Sequence, residues 1–355
     1  MCFPFCKISI LCPFLYDYDC VYADSIITLF TRGVVKVKYI TEQLHIKYPI
    51  IQGGMGNISN APLTAAVSEA GGLGTIGSGT MVPDEVENII LETKKRTNKP
   101  FALNIAITVT PFVKELVELV IKHHIPVVSL SAGNPAPIIP VLHDYGVKVI
   151  AVVASVKHAQ KAEAAGADIL VAEGFEAAGI NSNLELTTFT LIPQITQSVT
   201  IPVLAAGGIG DGKGLAAALM LGASGVQIGT RLIATKEAPF HNTYKQNLVH
   251  ASDTDTVIVG RSVGRVRRML KTPYAHKLLN IEEQGMTLEQ YNEMTSEKQH
   301  VTGAIAGDLE NGFINSGQVA GLISGIPSVK ELLDSMMEEA SRQINRVAMD
   351  KIILK

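Results

Sequence analysis

Eight short apolar runs alternate with helical stretches along this chain, and that count constrains its fold more than any single motif. The runs fall at 48–55, 73–76, 101–107, 126–130, 147–153, 169–172, 203–206 and 226–228. They are continuously apolar rather than alternating, as expected of strands buried on both faces of a parallel sheet. Helical patterns at 60–70, 83–97, 110–123, 137–145, 155–165, 188–197 and 211–221 separate them. Asn60 is placed to cap the first of these, with Pro62 in its first turn. Gly166 and Gly222 close later helices just before a strand. Eight such units close a (β/α)8 barrel. An open doubly wound sheet is the competing arrangement, but it usually has fewer strands and a G-x-G-x-x-G turn after the first. The first turn here, Gln52-Gly-Gly-Met-Gly, lacks that pattern. The expected class is therefore α/β: a (β/α)8 TIM barrel with a mostly helical C-terminal segment at the barrel mouth.

The last two runs carry a chemical signal. Ile201-Pro-Val-Leu-Ala-Ala-Gly-Gly-Ile-Gly-Asp-Gly-Lys ends a strand in two glycines before a helix. Gly225-Val-Gln-Ile-Gly-Thr-Arg ends the next strand in Gly-Thr. Glycine lets backbone approach a ligand closely, and a helix start offers unpaired N–H donors. Barrels hold phosphate at the loops after their last two strands. A phosphate-bearing cofactor or substrate is expected there.

The 355 residues carry a formal net charge of -3, which argues against a polyanionic partner such as nucleic acid. All four cysteines, Cys2, Cys6, Cys12 and Cys20, lie in the first twenty residues. A disulfide framework would spread them, and their spacing matches no common zinc site. Residues 1–39 read as a non-domain extension, disordered or weakly packed. They are too broken for a signal peptide or a membrane span. Residues 40–233 read as the barrel core, and 234–355 as a helical insertion and C-terminal segment completing the same domain. No membrane association is expected, the default location is cytoplasmic, and a homodimer is left open.

Residues 234–300 read as polar and helical, with His241, Tyr244 and His250. The basic run Arg261-Ser-Val-Gly-Arg-Val-Arg-Arg reads as an anion site or, at least as well, as a solvated face. Glycines at 307, 312, 317 and 321 suggest a tight turn and a closely approached helix. Ser328 caps a final amphipathic helix through about Arg342.

Six motifs in order resemble the nitronate monooxygenase family, once called 2-nitropropane dioxygenase. They are Tyr48-Pro-Ile-Ile-Gln-Gly-Gly-Met, Ala70-Gly-Gly-Leu-Gly-Thr-Ile-Gly, Ala172-Glu-Gly-x-Glu-Ala, Ala205-Ala-Gly-Gly-Ile, Gly225-Val-Gln-Ile-Gly-Thr-Arg and Gly317-Gln-Val-Ala-Gly. The resemblance covers about 42–345, and the family includes the flavin-dependent enoyl-acyl-carrier-protein reductase II of some bacteria. It implies an FMN-containing barrel. By that resemblance Gly53, Gly54 and Met55 lie beside the flavin ring, and Asn104 bonds its polar edge or ribityl chain. Gly207, Gly208, Gly229 and Thr230 cup the phosphate. Gln227 faces the flavin or is a satisfied buried amide. Glu173 and Gly179 join the cofactor wall, and Gln318 closes over the mouth. Ser129 and Ser131 bond flavin or substrate. The leading activity is oxidation of alkyl nitronates with O2. The alternative is reduction of an enoyl thioester by NADH or NADPH, and the tail from Thr256 resembles the reductase branch more. The small-molecule partner is accordingly a nitronate or an enoyl thioester.

The pattern breaks after the sixth strand. The family reads Glu-Ala-Gly-Gly-His-x-Gly, whereas this chain reads Glu176-Ala-Ala-Gly-Ile-Asn-Ser-Asn. Ala178 stands at the first glycine, and Ile180 stands at the histidine that serves relatives as proposed base or proton donor. Isoleucine can do neither. Asn181, Glu176 and Ser131 are therefore the catalytic candidates, with Asn181 donating to a nitro or carbonyl oxygen. His123, His124, His143 and His158 are expected away from the site. His241 and His250 follow the eighth strand on the correct side.

Overall fold

The computed structural model describes residues 40–349, so the expectation for 1–39 lies outside the described residues. The chain runs α1 (Ile40–Leu44), β1 (Ile50–Gln52), α2 (Ala61–Glu69), β2 (Gly74–Gly77), α3 (Pro83–Arg96), β3 (Phe101–Ala106), α4 (Val113–Lys122) and β4 (Val127–Ser131). It continues with α5 (Ile139–Asp144), β5 (Lys148–Val153), α6 (Val156–Ala164), β6 (Ile169–Glu173), β7 (Gly179–Asn181), α7 (Thr188–Thr196), β8 (Val203–Ala206), α8 (Gly212–Met220) and β9 (Gly225–Ile228). Eight of these strands form one parallel sheet in the order β1-β9-β8-β6-β5-β4-β3-β2. A parallel bridge between Ile51 and Leu73 joins β1 to β2 and closes the ring. This is the expected (β/α)8 barrel.

Alternation along each strand divides the core in two. Ile51, Ala102, Val127, Ile150, Val171 and Leu204 fill the barrel interior, together with Ile40 and Leu44 of α1. Their neighbours Ile50, Leu103, Val128, Val149, Leu170 and Val203 face the helices. The cap of α2 forms as expected, with Asn60 Oδ1 accepting from the Leu63 N–H at 2.9 Å.

Past the barrel come α9 (Thr230–Ile233), α10 (Asn242–Val249), β10 (Thr256–Val259), β11 (Val266–Leu270), α11 (Pro273–Glu283), α12 (Leu288–Met294), α13 (Glu297–Ala304) and α14 (Val329–Met349). Two expectations need correction. Residues 234–300 are not all helical: β10 and β11 form an antiparallel pair, and β7 adds to β11 as a third strand. The turn of this hairpin uses Gly260 and Gly264 at φ of 87° and 66°, a region glycine enters freely. The basic run is also divided. Arg261 is an exposed partner of Glu185 at 2.8 Å. Arg267 and Arg268, by contrast, are buried. Arg268 donates to the Phe175 carbonyl at 3.1 and 3.0 Å and lies over the Phe175 ring.

The final helix runs beyond Arg342 to Met349 and packs on α8 and α2. Its Glu339 accepts from the Gly212 N–H at 2.9 Å, and its Asp334 accepts from the Tyr48 hydroxyl at 2.8 Å. The described residues fall within one compact unit. Among the described residues no helix is long and apolar enough to cross a membrane.

Candidate active site

A cavity of about 830 Å³ opens at the C-terminal ends of the barrel strands, the face on which barrels carry their sites. Its size lies in the upper part of the roughly 300–1,000 Å³ typical of small-molecule and cofactor sites. Strand ends of β1, β3, β4, β5, β6, β8 and β9 form its floor. Strand β7, the start of α13 and the segment around Asn315–Val319 contribute its remaining wall.

At one end the wall is backbone. Gly207 and Gly208 have φ of 95° and 74°. The N–H groups of Gly207, Gly208 and Gly229 have no acceptor among the described residues. Thr230 Oγ1 accepts from the Gly317 N–H at 2.9 Å, which leaves its own proton free to donate. A cluster of uncommitted donors that lines a cavity is suited to a phosphate dianion.

At the floor, Gly54 lies so close to Asn104 that a Cβ there would stand 2.5 Å from Asn104 Oδ1. The Asn104 amide nitrogen lies 3.2 Å from the Ser129 carbonyl, 3.3 Å from Ser129 Oγ and 3.2 Å from Ser131 Oγ. Its two hydrogens are thereby directed along the strand ends. Gly53, Met55 and Gln227 complete this surface. Glu173, at the end of β6, also lines the cavity. Burial pushes its carboxyl up to about 7.

The loop after β6 departs from its expected chemistry. The Glu176 carboxylate accepts from the Thr188 N–H at 3.0 and 2.9 Å and from Thr188 Oγ1 at 3.0 Å. It anchors the start of α7 while lining the cavity. The Asn181 amide nitrogen donates to the Ala177 and Gly179 carbonyls at 2.9 and 3.3 Å. Both its hydrogens are thus used within the loop, and only its oxygen remains. Ile180 lines the cavity and is half exposed.

The structure thus gathers Gly53, Gly54, Met55, Asn104, Ser129, Ser131, Glu173, Glu176, Gly179, Asn181, Gly207, Gly208, Gln227, Gly229 and Thr230 around one cavity. Gln318 stands apart: its side chain is exposed and outside the lining, while its N–H donates to the Glu176 carbonyl at 3.0 Å. Gly317 and Val319 take the wall on either side of it.

Three residues that sequence reasoning missed, Glu297, His300 and Asn315, also line the cavity, and they join Arg267 of the basic run, for which an anion site was one of two expectations. His300 is buried and stacks on Phe313, with ring centroids 5.2 Å apart. Its Nε2 lies 3.1 Å from Asn315 Nδ2, and its Nδ1 lies 3.5 Å from Glu297 Oε2. Burial raises the Glu297 carboxyl, but His300, the Arg267 charge and the Asn57 N–H outweigh it and hold it below its ordinary value. Four other histidines bond elsewhere. His123 meets Glu87 and His143 meets Asp168. His241 caps α10, and His250 bonds the Gln246 carbonyl. His158, expected on an outer helix, is exposed at the cavity rim.

The sequence model described as nitronate monooxygenase matches residues 38–113 and 106–339. The chain belongs to the nitronate monooxygenase family. FabK from Thermotoga maritima superposes with a TM-score of 0.83 at 43% identity, covering 87% of this chain and 97% of that one. A Mycobacterium tuberculosis protein named (3aS,4S,5R,7aS)-5-hydroxy-7a-methyl-1-oxo-octahydro-1H-indene-4-carboxyl-CoA dehydrogenase is 32% identical over 85% of this chain and 95% of its own length. A probable nitronate monooxygenase of Staphylococcus saprophyticus is 30% identical over 86% of this chain and 98% of its own length. Members of this flavin-dependent superfamily are oxidoreductases, and this chain is one of them.

Proposed function

We propose that this family member is an FMN-dependent reductase that uses NADH or NADPH to reduce an enoyl thioester. The observation that carries the reading is the 43% identity to FabK across nearly the whole of both chains, since FabK-type proteins are enoyl-acyl-carrier-protein reductases. The mycobacterial relative, whose name specifies a CoA thioester, supports the same substrate class. This order reverses the sequence-based expectation, which put nitronate oxidation first. Oxidation of alkyl nitronates with O2 is the second reading, favoured by the family model and the staphylococcal relative.

The residues present fit FMN. The uncommitted N–H groups of Gly207, Gly208 and Gly229, with the free Thr230 proton, are the phosphate seat. Gly53, Gly54 and Met55 offer closely approachable backbone, and Asn104, Ser129, Ser131 and Gln227 offer polar atoms beside it. Bound there, FMN supplies reversible two-electron chemistry. The protein holds and orients its substrate, and the half-exposed Ile180 gives the acyl chain an apolar surface while donating no proton. At the position of the family histidine this leaves solvent to protonate the α-carbon.

Anaerobic mixing tests the reading. NADH or NADPH should bleach the flavin, and a crotonyl thioester should restore its colour. Bleaching by an alkyl nitronate but not by either nicotinamide would overturn it in favour of the second.

A further inference from the structure

We propose that Arg267, positioned by Asn315, His300 and Glu297, forms the subsite that binds the acyl oxygen on which negative charge develops during reduction. For an enoyl substrate this is the thioester carbonyl oxygen. The inference deepens the proposed reductase function and rests on that reading for its substrate class.

Arg267 is 6% exposed and lines the cavity. Among the described residues no carboxylate lies within ion-pair distance of it. Its Nε is buried without a hydrogen-bond partner, and its bond from Nη1 to Asn315 Oδ1 is long at 3.4 Å. A guanidinium carries five N–H donors. Burying such a cation with most of them unused is costly unless something else accepts them. The cavity is where an acceptor can come from.

The setting fixes the group. Arg267 lies over the Phe313 ring, 5.1 Å from its centroid. Asn315 accepts from Arg267 through Oδ1 and gives its Nδ2 hydrogen to His300 Nε2. His300 stacks on the same Phe313 and faces Glu297 through Nδ1. Glu297 in turn accepts from the Asn57 N–H at 3.4 Å, just past the backbone surface of the first strand. The Tyr244 hydroxyl donates to the Asn315 carbonyl and fixes its backbone. In the ladder between β11 and β7, Arg267 is the register partner of Ile180. Cross-strand partners share a face of the sheet. The cation therefore stands directly opposite the position where relatives carry a histidine.

The chemistry requires charge there. Hydride addition at the β-carbon pushes the alkene π pair onto the thioester oxygen as an enolate. The enolate then takes a proton at the α-carbon and collapses to the saturated thioester, with NADH or NADPH as the reductant consumed. A preorganised cation in a water-poor wall lowers the energy of that oxygen anion, and loss of one such donor typically costs about 10²–10³ in rate. A nitronate presents a full charge on the same kind of oxygen.

Two measurements on the FMN-loaded full chain test the subsite. The first is titration of the flavin spectrum with butyrate, an unreactive oxygen anion. Arg267→Met should weaken butyrate at least 10-fold while keeping FMN content within two-fold, and Arg267→Lys should recover part of the affinity. His300→Ala should weaken it about 3-fold, whereas His300→Gln, which keeps an acceptor for Asn315, should restore it. The second is reoxidation of prereduced flavin by crotonyl-N-acetylcysteamine, a thioester without phosphates, which should slow about 100-fold in Arg267→Met. Wild type blind to butyrate, or Arg267→Met equal to wild type in the titration, overturns the subsite. Wild type that binds butyrate but is not reoxidised by the thioester overturns the reductase reading and leaves the subsite standing.

Discussion

The two ends of the cavity are built from different material. The phosphate end is backbone: Gly207, Gly208 and Gly229 at the ends of adjacent strands, with one hydroxyl from Thr230. Another part of the wall is side chain: Arg267, Glu297, His300 and Asn315, brought from a hairpin, a helix and a loop. A backbone cradle needs only that a strand end in glycine, so it is set by local sequence. A side-chain wall depends on packing between distant segments, so it can change while the barrel stays constant. In this reading the first end anchors a cofactor and the second selects what reacts with it.

That division can be broken by substitution. The largest effect is expected for Gly207→Val. Its φ of 95° is strained for any L side chain, at roughly 1–3 kcal/mol, and a Cβ would stand 2.8 Å from the Gly174 carbonyl. The variant should lose FMN at least 100-fold, read as the flavin-to-protein ratio after purification. Retained flavin would show that the phosphate sits elsewhere. Thr230→Val should weaken FMN about 10-fold, since it removes both a donor to the phosphate and the acceptor for Gly317.

Glu173 tests the floor between the ends. Its folded carboxyl titrates at about 7, above its ordinary 4.5. The folded state therefore holds the proton more tightly, and stability present at pH 4.5 and below is lost as pH rises through 7. Glu173→Gln stays neutral throughout. Its melting temperature should rise relative to wild type between pH 5 and pH 8, by the equivalent of about 2–3 kcal/mol. A constant difference across that range would place the carboxyl in a wetter setting. The smallest effect is expected at Asn181→Ala. Because its amide hydrogens serve the loop, kcat for the crotonyl thioester should change less than about 3-fold. A loss of 100-fold would return Asn181 to the chemistry.

The sequence was most legible where structure is local. The barrel strands are short apolar runs, most of them closed by glycine, and each appears within a few residues of its expected place. Asn60 announced its role because a cap depends on a few neighbouring residues. Strand β11 was hidden because Val266-Arg-Arg-Met-Leu reads as a charged surface. Its burial depends on Phe175, Phe313 and Asn315, none of them nearby in sequence. His300 was missed for the same reason: on a polar helix its sequence gives no sign of the Phe313 ring against which it stacks. Asn181 and Glu176 were legible as cavity residues but not in their hydrogen bonds. Their positions at the cavity were readable, but the partners that consume them, Ala177 and Thr188, were not.

The contacts of α14 have a consequence for how the molecule is made. This helix packs on α2 and α8, beside the seam where β1 meets β9, and it bonds to Tyr48 just ahead of β1. During synthesis β1 emerges early and must wait for a partner some 175 residues downstream, at the end of the barrel, and longer still for the helix that braces the join. Until then the nascent ring is an open arc with two unpaired edges. The last helix is thus a latch on assembly, and its arrival sets the time for which a half-made barrel needs protection from its neighbours.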